Sequence, residues 1–116
     1  MGIARRLHLQ LNAGHPRNRR ESLEEVLKKD PKDIFARYAL ALECFNARDD
    51  RSALEQFQTL RDQHPDYLPA YYHFAQALKR LGRTNEASEV LHAGIELARR
   101  SGNSHALSEL EAALEL

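Results

Sequence analysis

Residues 31–64 read PKDIFARYALALECFNARDDRSALEQFQTLRDQH, and residues 65–98 read PDYLPAYYHFAQALKRLGRTNEASEVLHAGIELA. The second stretch aligns with the first, without a gap, when the chain is shifted by 34 residues. The identical pairs are Pro31 and Pro65, Ala36 and Ala70, Tyr38 and Tyr72, Ala41 and Ala75, Ala53 and Ala87, and Glu55 and Glu89. A period of this size is typical of stacked helix pairs, because one pair cannot bury its own apolar face.

The recurring residues resemble those of the tetratricopeptide repeat family. The family's small residues correspond to Ala41 and Ala75 on the first helices and to Ala53 and Ala87 on the second helices. Its large apolar residue corresponds to Phe57 and Leu91, and its closing proline to Pro31 and Pro65. The resemblance covers residues 31–98 and departs from the family at Arg37, where an aromatic is usual, and at Arg99, where a third proline would stand. It implies an all-α solenoid of helix pairs with a C-terminal capping helix, and a role in binding other proteins.

The repeat frame predicts how the chain is divided. We expect one domain at 18–116, with a half repeat at 18–31, full repeats at 32–65 and 66–99, and a cap at 104–116. Residues 1–17 are either an N-terminal extension or a degenerate helix. The expected helices are 2–13, 18–30, 34–48, 51–64, 67–81, 84–100 and 104–116. Their predicted N-terminal caps are a capping box of Asn18 with Glu21, followed by Asp33, Asp50, Asp66 and Thr84, and Ser104 is predicted to open the last helix.

Composition limits the classes of function. Seventeen basic and seventeen acidic residues cancel in a chain of 116, so no strong nonspecific attraction to nucleic acid or to a membrane is expected. A single cysteine fits a reducing compartment. Arg5 and Arg6 precede a stretch, LHLQLN, that is too short and too polar for a signal peptide. We therefore expect a cytoplasmic protein.

The sequence offers no residues for catalysis or for a cofactor. The six histidines have no metal-ligand spacing, and there is no glycine-rich phosphate loop or nucleophile elbow. Cys44 falls on a packing stripe, which favours a structural thiol. We expect a protein that is not an enzyme and that binds neither a metal nor a cofactor.

The first helix of each repeat carries a second apolar stripe in addition to its packing stripe. In the family such positions line a concave face that binds peptides or helices of partners. The candidate residues are Phe35, Tyr38, Leu42, Phe45, Tyr72, His73, Gln76, Lys79 and Arg80. Aromatic anchors with a basic rim are typical of protein-interaction hot spots. The alternative is that these aromatic residues only pack against the neighbouring helix.

Two other functions remain open from the sequence. A homodimer would cover an apolar patch at the N-terminal end of the array if residues 1–16 do not cover it. RNA binding is a more remote alternative, suggested by the basic residues Arg5, Arg6, Arg17, Arg19 and Arg20. The principal hypothesis is a protein–protein interaction module whose partner is another protein.

Overall fold

The computed structural model describes residues 18–115, and this part of the chain is built of helices without a strand. The helices are α1 (Arg19–Lys29), α2 (Ile34–Asn46), α3 (Asp50–Gln63), α4 (Pro69–Arg80), α5 (Thr84–Ser101) and α6 (Ser104–Glu115). The predicted all-α class is confirmed. The helix expected at 2–13 lies outside the described residues.

The helices stack as pairs in chain order. Each helix packs against the next one, and α4 also touches α2 on one side and α6 on the other. The first helices of successive repeats, α2, α4 and α6, therefore form one row, while α1, α3 and α5 alternate with them along the chain. Short connections between consecutive helices favour this antiparallel arrangement. No helix in the described part of the chain is both long enough and apolar enough to cross a membrane.

Small residues at the predicted positions allow the helices to approach closely. Ala41, Ala53, Ala75 and Ala87 are all completely buried, as expected where helix axes come within about 8–10 Å of each other. Phe57 fills the space next to them and is also completely buried. Ala47, by contrast, is exposed, because it follows the last residue of α2 as its C-cap.

The caps explain where most of the helices begin. Asn18 and Glu21 form the predicted capping box, and the Asp33 side chain accepts a hydrogen bond from the Ala36 amide at 2.9 Å. The predictions of Asp50 and Thr84 as caps are each wrong by one residue. Asp49 and Arg83 hold the N-cap positions instead, and the Asp49 side chain accepts from the Ser52 amide.

Both offsets follow from the turn that precedes these caps. Arg48 and Gly82 have left-handed backbones, with φ of 63° and 76°, and such a residue ends the preceding helix. Arg48 therefore ends α2 two residues earlier than predicted, and the next residue already serves as the cap. Gly82 adopts a positive φ without strain because it has no Cβ. Arg48 adopts it at a cost of about 1–2 kcal/mol because it has one.

The start of α4 differs from the prediction of a helix at 67–81 capped by Asp66. The helix begins at Pro69, and its N-cap residue Leu68 makes no side-chain cap hydrogen bond. The position one repeat after the capping Asp33 is Tyr67, whose ring cannot reach back as a short carboxylate does. Proline then opens the helix, since its missing N–H would have no partner in the first turn.

At the C-terminal end of the array, the spacing between equivalent residues increases from 34 to 36. No proline stops α5 at position 99, so it continues to Ser101, where Gly102 with φ of 70° ends it. The buried residues of α6, Leu110 and Ala113, accordingly lie 36 residues after Phe74 and Ala77 of α4. Helix α6 thus repeats the packing of α4 and closes the array against α5.

Candidate functional site

The row formed by α2, α4 and α6 presents a continuous surface that contains most of the predicted binding residues. We call this surface the inner face and define it by Tyr38, Leu42, Phe45, Tyr72, His73, Gln76 and Glu109. The first six are half-buried, and Glu109 is exposed. Phe35 was predicted with them, but it stands on the first turn of α2 with 77% of its surface exposed.

Aromatic rings on the inner face contact one another edge to face. The Tyr38 ring lies 5.4 Å from that of Tyr67, and His73 lies 5.3 Å from both Phe45 and Tyr72, as measured between ring centroids. The Tyr38 hydroxyl also donates a hydrogen bond to the Pro69 carbonyl at 3.3 Å. These contacts hold the rings in fixed orientations, while each keeps part of its surface open to solvent.

Arg80, predicted as part of a basic rim, is engaged within the chain. Its guanidinium forms a 2.7 Å ion pair with Asp50, donates to the Phe45 carbonyl at 2.7 Å, and lies 3.7 Å from the centroid of the Phe45 ring. The two side chains of the ion pair are only 25% and 15% exposed. Arg80 therefore ties the end of α4 to the turn between α2 and α3.

Lys79, the other residue of the predicted basic rim, contacts α6 on the other side of α4. Its Nζ donates a 2.6 Å hydrogen bond to the carbonyl of Ala113 in the last turn of α6. A cation at this place also stabilises the negative end of the α6 helix dipole. Lys79 and Arg80 thus hold α4 against its two neighbours, and both side chains already form hydrogen bonds within the chain.

Glu109 is the inner-face charge that the sequence reasoning missed. Burial, the nearby Tyr67 and the Glu109 carboxylate together raise the pKa of Tyr38. Burial lowers the pKa of His73, while Glu109 acts in the opposite sense and Arg80 reinforces the decrease. The 34-residue period does not assign Glu109 to the inner face, because residues of α6 lie 36 rather than 34 positions after their counterparts in α4.

A cavity of about 200 Å³ opens between α4 and α6 beside the aromatic rings. Its lining consists of Leu68, Pro69, Tyr72, Asn103, Ala106, Glu109 and Leu110. The walls are mainly apolar, and the Glu109 carboxylate supplies a negative charge. A cavity of this size is suited to one side chain of a partner rather than to a whole ligand, for which about 300–1,000 Å³ is usual.

A larger depression of about 680 Å³ lies along α3 and has a different character. Only Leu54 and Leu81 are apolar among its lining residues, and the others are Arg51, Glu55, Gln56, Gln58, Thr59 and Arg83. Small-molecule sites are mostly apolar with a few convergent polar groups. This depression does not have that composition, which leaves the inner face as the candidate binding surface.

The structure describes the surroundings of the Cys44 thiol and of the side chains that could bind a metal ion. Cys44 is buried, and burial raises the pKa of its thiol, which disfavours the reactive thiolate. Within residues 18–115, no three side chains of His, Cys, Asp or Glu come together in a way that could hold a metal ion.

The half-buried His73 leads to a pH prediction. The folded protein holds the pKa of His73 below its ordinary value of 6.5, mainly by burial, so the unfolded chain binds a proton more readily. The free energy of unfolding should therefore fall as the pH drops from about 7 to about 5. In His73→Gln this part of the pH dependence should disappear. Denaturation with urea at several pH values measures the slope.

The matched control for His73 is His92→Gln, which removes an exposed histidine of α5 by the same substitution. The slope should persist in this variant. The comparison uses only the slope of the free energy of unfolding against pH. A difference in absolute stability between the two variants therefore does not affect it. An unchanged slope in His73→Gln would show that His73 takes up its proton equally well in the folded protein.

Comparison with known proteins agrees with this architecture. A tetratricopeptide repeat family model matches residues 47–114. A tetratricopeptide repeat domain protein from Salinibacter ruber, solved in solution, is 42% identical and has a TM-score of 0.68; the match covers 73% of this chain and 86% of that one. A crystal structure of the domain from the same organism gives 41% identity and a TM-score of 0.67, and the match covers 71% and 91%.

A protein from Bordetella parapertussis shares the fold at 21% identity, with a TM-score of 0.75 and coverage of 86% of this chain and 87% of that one. No curated protein matches the sequence significantly. The family match extends over more than half of the chain, and it agrees with the recurring residues and with the stacked helix pairs. The chain belongs to the tetratricopeptide repeat family, whose members generally mediate protein–protein interaction.

Proposed function

We propose that this protein is a non-enzymatic interaction module that binds a peptide or helix of another protein on its inner face. The observation that carries the proposal is the second apolar stripe of α2 and α4. Each of these helices already buries one stripe in the core, so Tyr38, Leu42 and Tyr72 are not all needed to hold the fold together. Partner segments dock on such faces through anchors at regular spacing.

The charges support a partner of particular composition. Arg80 is ion-paired with Asp50 and Lys79 donates to a backbone carbonyl, whereas Glu109 has no ion pair within residues 18–115. The negative charge beside the 200 Å³ cavity favours a segment with an apolar anchor followed by a basic side chain. The apolar anchor would enter between α4 and α6, and the basic group would meet Glu109 at the rim. We place this interaction in the cytoplasm, in keeping with the free thiol of Cys44.

The direct test is capture of partners from an extract of the cells that make the protein. The double variant Tyr38→Ala with Tyr72→Ala removes two rigid contact surfaces. If both residues are hot spots, the affinity of a captured partner should fall at least about 30-fold, equivalent to about 2 kcal/mol. Affinity is measured by calorimetry after the partner has been identified, and melting of the variant is recorded alongside.

Two further variants separate binding from folding. Gln76→Trp adds a bulky ring in the middle of the inner face without removing any packing, and it should block the same partner. Glu55→Ala with Gln58→Ala alters the exposed side of α3 and should leave binding unchanged. Normal binding by a folded Gln76→Trp variant would place the interaction elsewhere, and unfolding of the double tyrosine variant would assign those rings to the core.

A further inference from the structure

The first described helix, α1, leaves open a face that its counterparts keep covered. One repeat after Leu23 and Val26 come Phe57 and Leu60 in α3, and both of these are completely buried. In α5 the corresponding residue to Leu23 is Leu91, which is 1% exposed. Val26, by contrast, is 43% exposed. Helices α3 and α5 each pack between two first helices, whereas α2 is the only helix of the described residues 18–115 that packs on α1.

Phe35 extends this face onto α2. The residue one repeat later is Pro69, whose carbonyl accepts the hydrogen bond from Tyr38 of the preceding first helix. The same geometry, moved back by one repeat, places position 35 beside a first helix that would precede α1. Leu23, Val26 and Phe35 together form what we call the open face. Phe35 and Val26 are also the large apolar residues with the greatest exposure in the described chain.

The sequence before α1 has the pattern that such a helix requires. Ile3, Leu7 and Leu11 recur every four residues, which puts them on one side of a helix. Leu7 lies one repeat before Ala41 and two before Ala75, and both alanines are completely buried. Gly14 lies one repeat before Arg48 and two before Gly82, the two residues whose positive φ ends α2 and α4.

The lengths are also compatible. Residues 3–13 number eleven, as many as α1 contains, and four residues from Gly14 to Arg17 then lead to the N-cap Asn18. Connections of two to five residues are sufficient to join antiparallel helices. The segment can therefore turn back along α1 without a strained link.

We propose that residues 3–13 form the missing first helix of the array and cover the open face, with Leu7 packed against Leu23 and Val26. The chain would then hold three complete repeats and the terminal α6. The occupant of the open face is a segment of the same chain, rather than a second copy or another protein. This proposal does not depend on what binds the inner face.

Amide hydrogen exchange on the full chain tests the proposal. Amides at residues 6–13 should exchange at least about tenfold more slowly than in an unstructured peptide of the same sequence. Leu7→Ala should abolish this protection and lower the melting temperature by roughly 4–8 °C. Leu9→Ala is the matched control, because Leu9 lies on the side of the helix opposite to Leu7, and it should preserve the protection.

A double-mutant cycle links the segment to the open face. If Leu7 contacts Val26, the combined loss in Leu7→Ala with Val26→Ala should be smaller than the sum of the two single losses. Exchange at residues 6–13 as fast as in the free peptide would overturn the proposal. It would also be overturned if light scattering gave twice the monomer mass and dilution exposed the open face, since a second copy would then be the cover.

Discussion

Replacing Phe57 with alanine is expected to lower the free energy of unfolding by roughly 3–5 kcal/mol. The Phe57 ring is completely buried and stacks on Phe74, with centroids 5.9 Å apart and planes inclined by 13°. Phe57 belongs to α3 and Phe74 to α4, so this contact joins the two full repeats. The neighbouring alanines have no side chains that can move into the space left behind, and a cavity should therefore remain.

Urea denaturation of the purified variant measures this loss, which would be a large share of a total stability of about 5–15 kcal/mol. Phe57→Leu provides the control, since the chain itself uses Leu91 at the same place in the next repeat. This variant should lose clearly less than Phe57→Ala. A loss below about 1 kcal/mol in Phe57→Ala would contradict the pairing of α3 with α4.

The repeat frame made most of the fold predictable from sequence. A shift by 34 residues aligned the small residues at helix crossings, and Ala53 and Ala87 are buried as the frame requires. Apolar spacing within helices is a strong signal because it is repeated over several turns. The predicted helix ends differ from the observed ones by one to two residues, since they depend on single backbone conformations such as that of Arg48.

The binding surface was less predictable than the fold. Tyr38 and Tyr72 could be assigned to one row because they occupy the same repeat position. The spacing of residues in the sequence does not show where the charged end of a long basic side chain lies. Lys79 and Arg80 both form hydrogen bonds with residues more than thirty positions away in sequence. Glu109 became part of the inner face only because α5 is extended and α6 is shifted, which is a consequence of tertiary packing.

Replacing Gly94 with leucine is the second substitution for which a large loss is expected, roughly 3 kcal/mol. Gly94 is the point where α5 is approached by both α4 and α6. A Cβ at this position would lie 3.0 Å from the Cβ of Tyr71 and 3.2 Å from a methyl group of Leu110. The Tyr71 Cβ cannot move away by rotation of its side chain, because it is bonded directly to the backbone.

The far end of Tyr71 is fixed as well, since its hydroxyl donates to the carbonyl of Pro65. A leucine at position 94 would therefore have to push α4 and α6 away from α5, which weakens the packing at the C-terminal end of the array. Gly94→Ala should cost less, because alanine gains about 1 kcal/mol of helix propensity over glycine and adds only one carbon. Chemical denaturation compares the two variants with His92→Leu, which introduces the same side chain at an exposed site of α5. Equal stability of Gly94→Leu and His92→Leu would mean that the three helices are further apart than these contacts require.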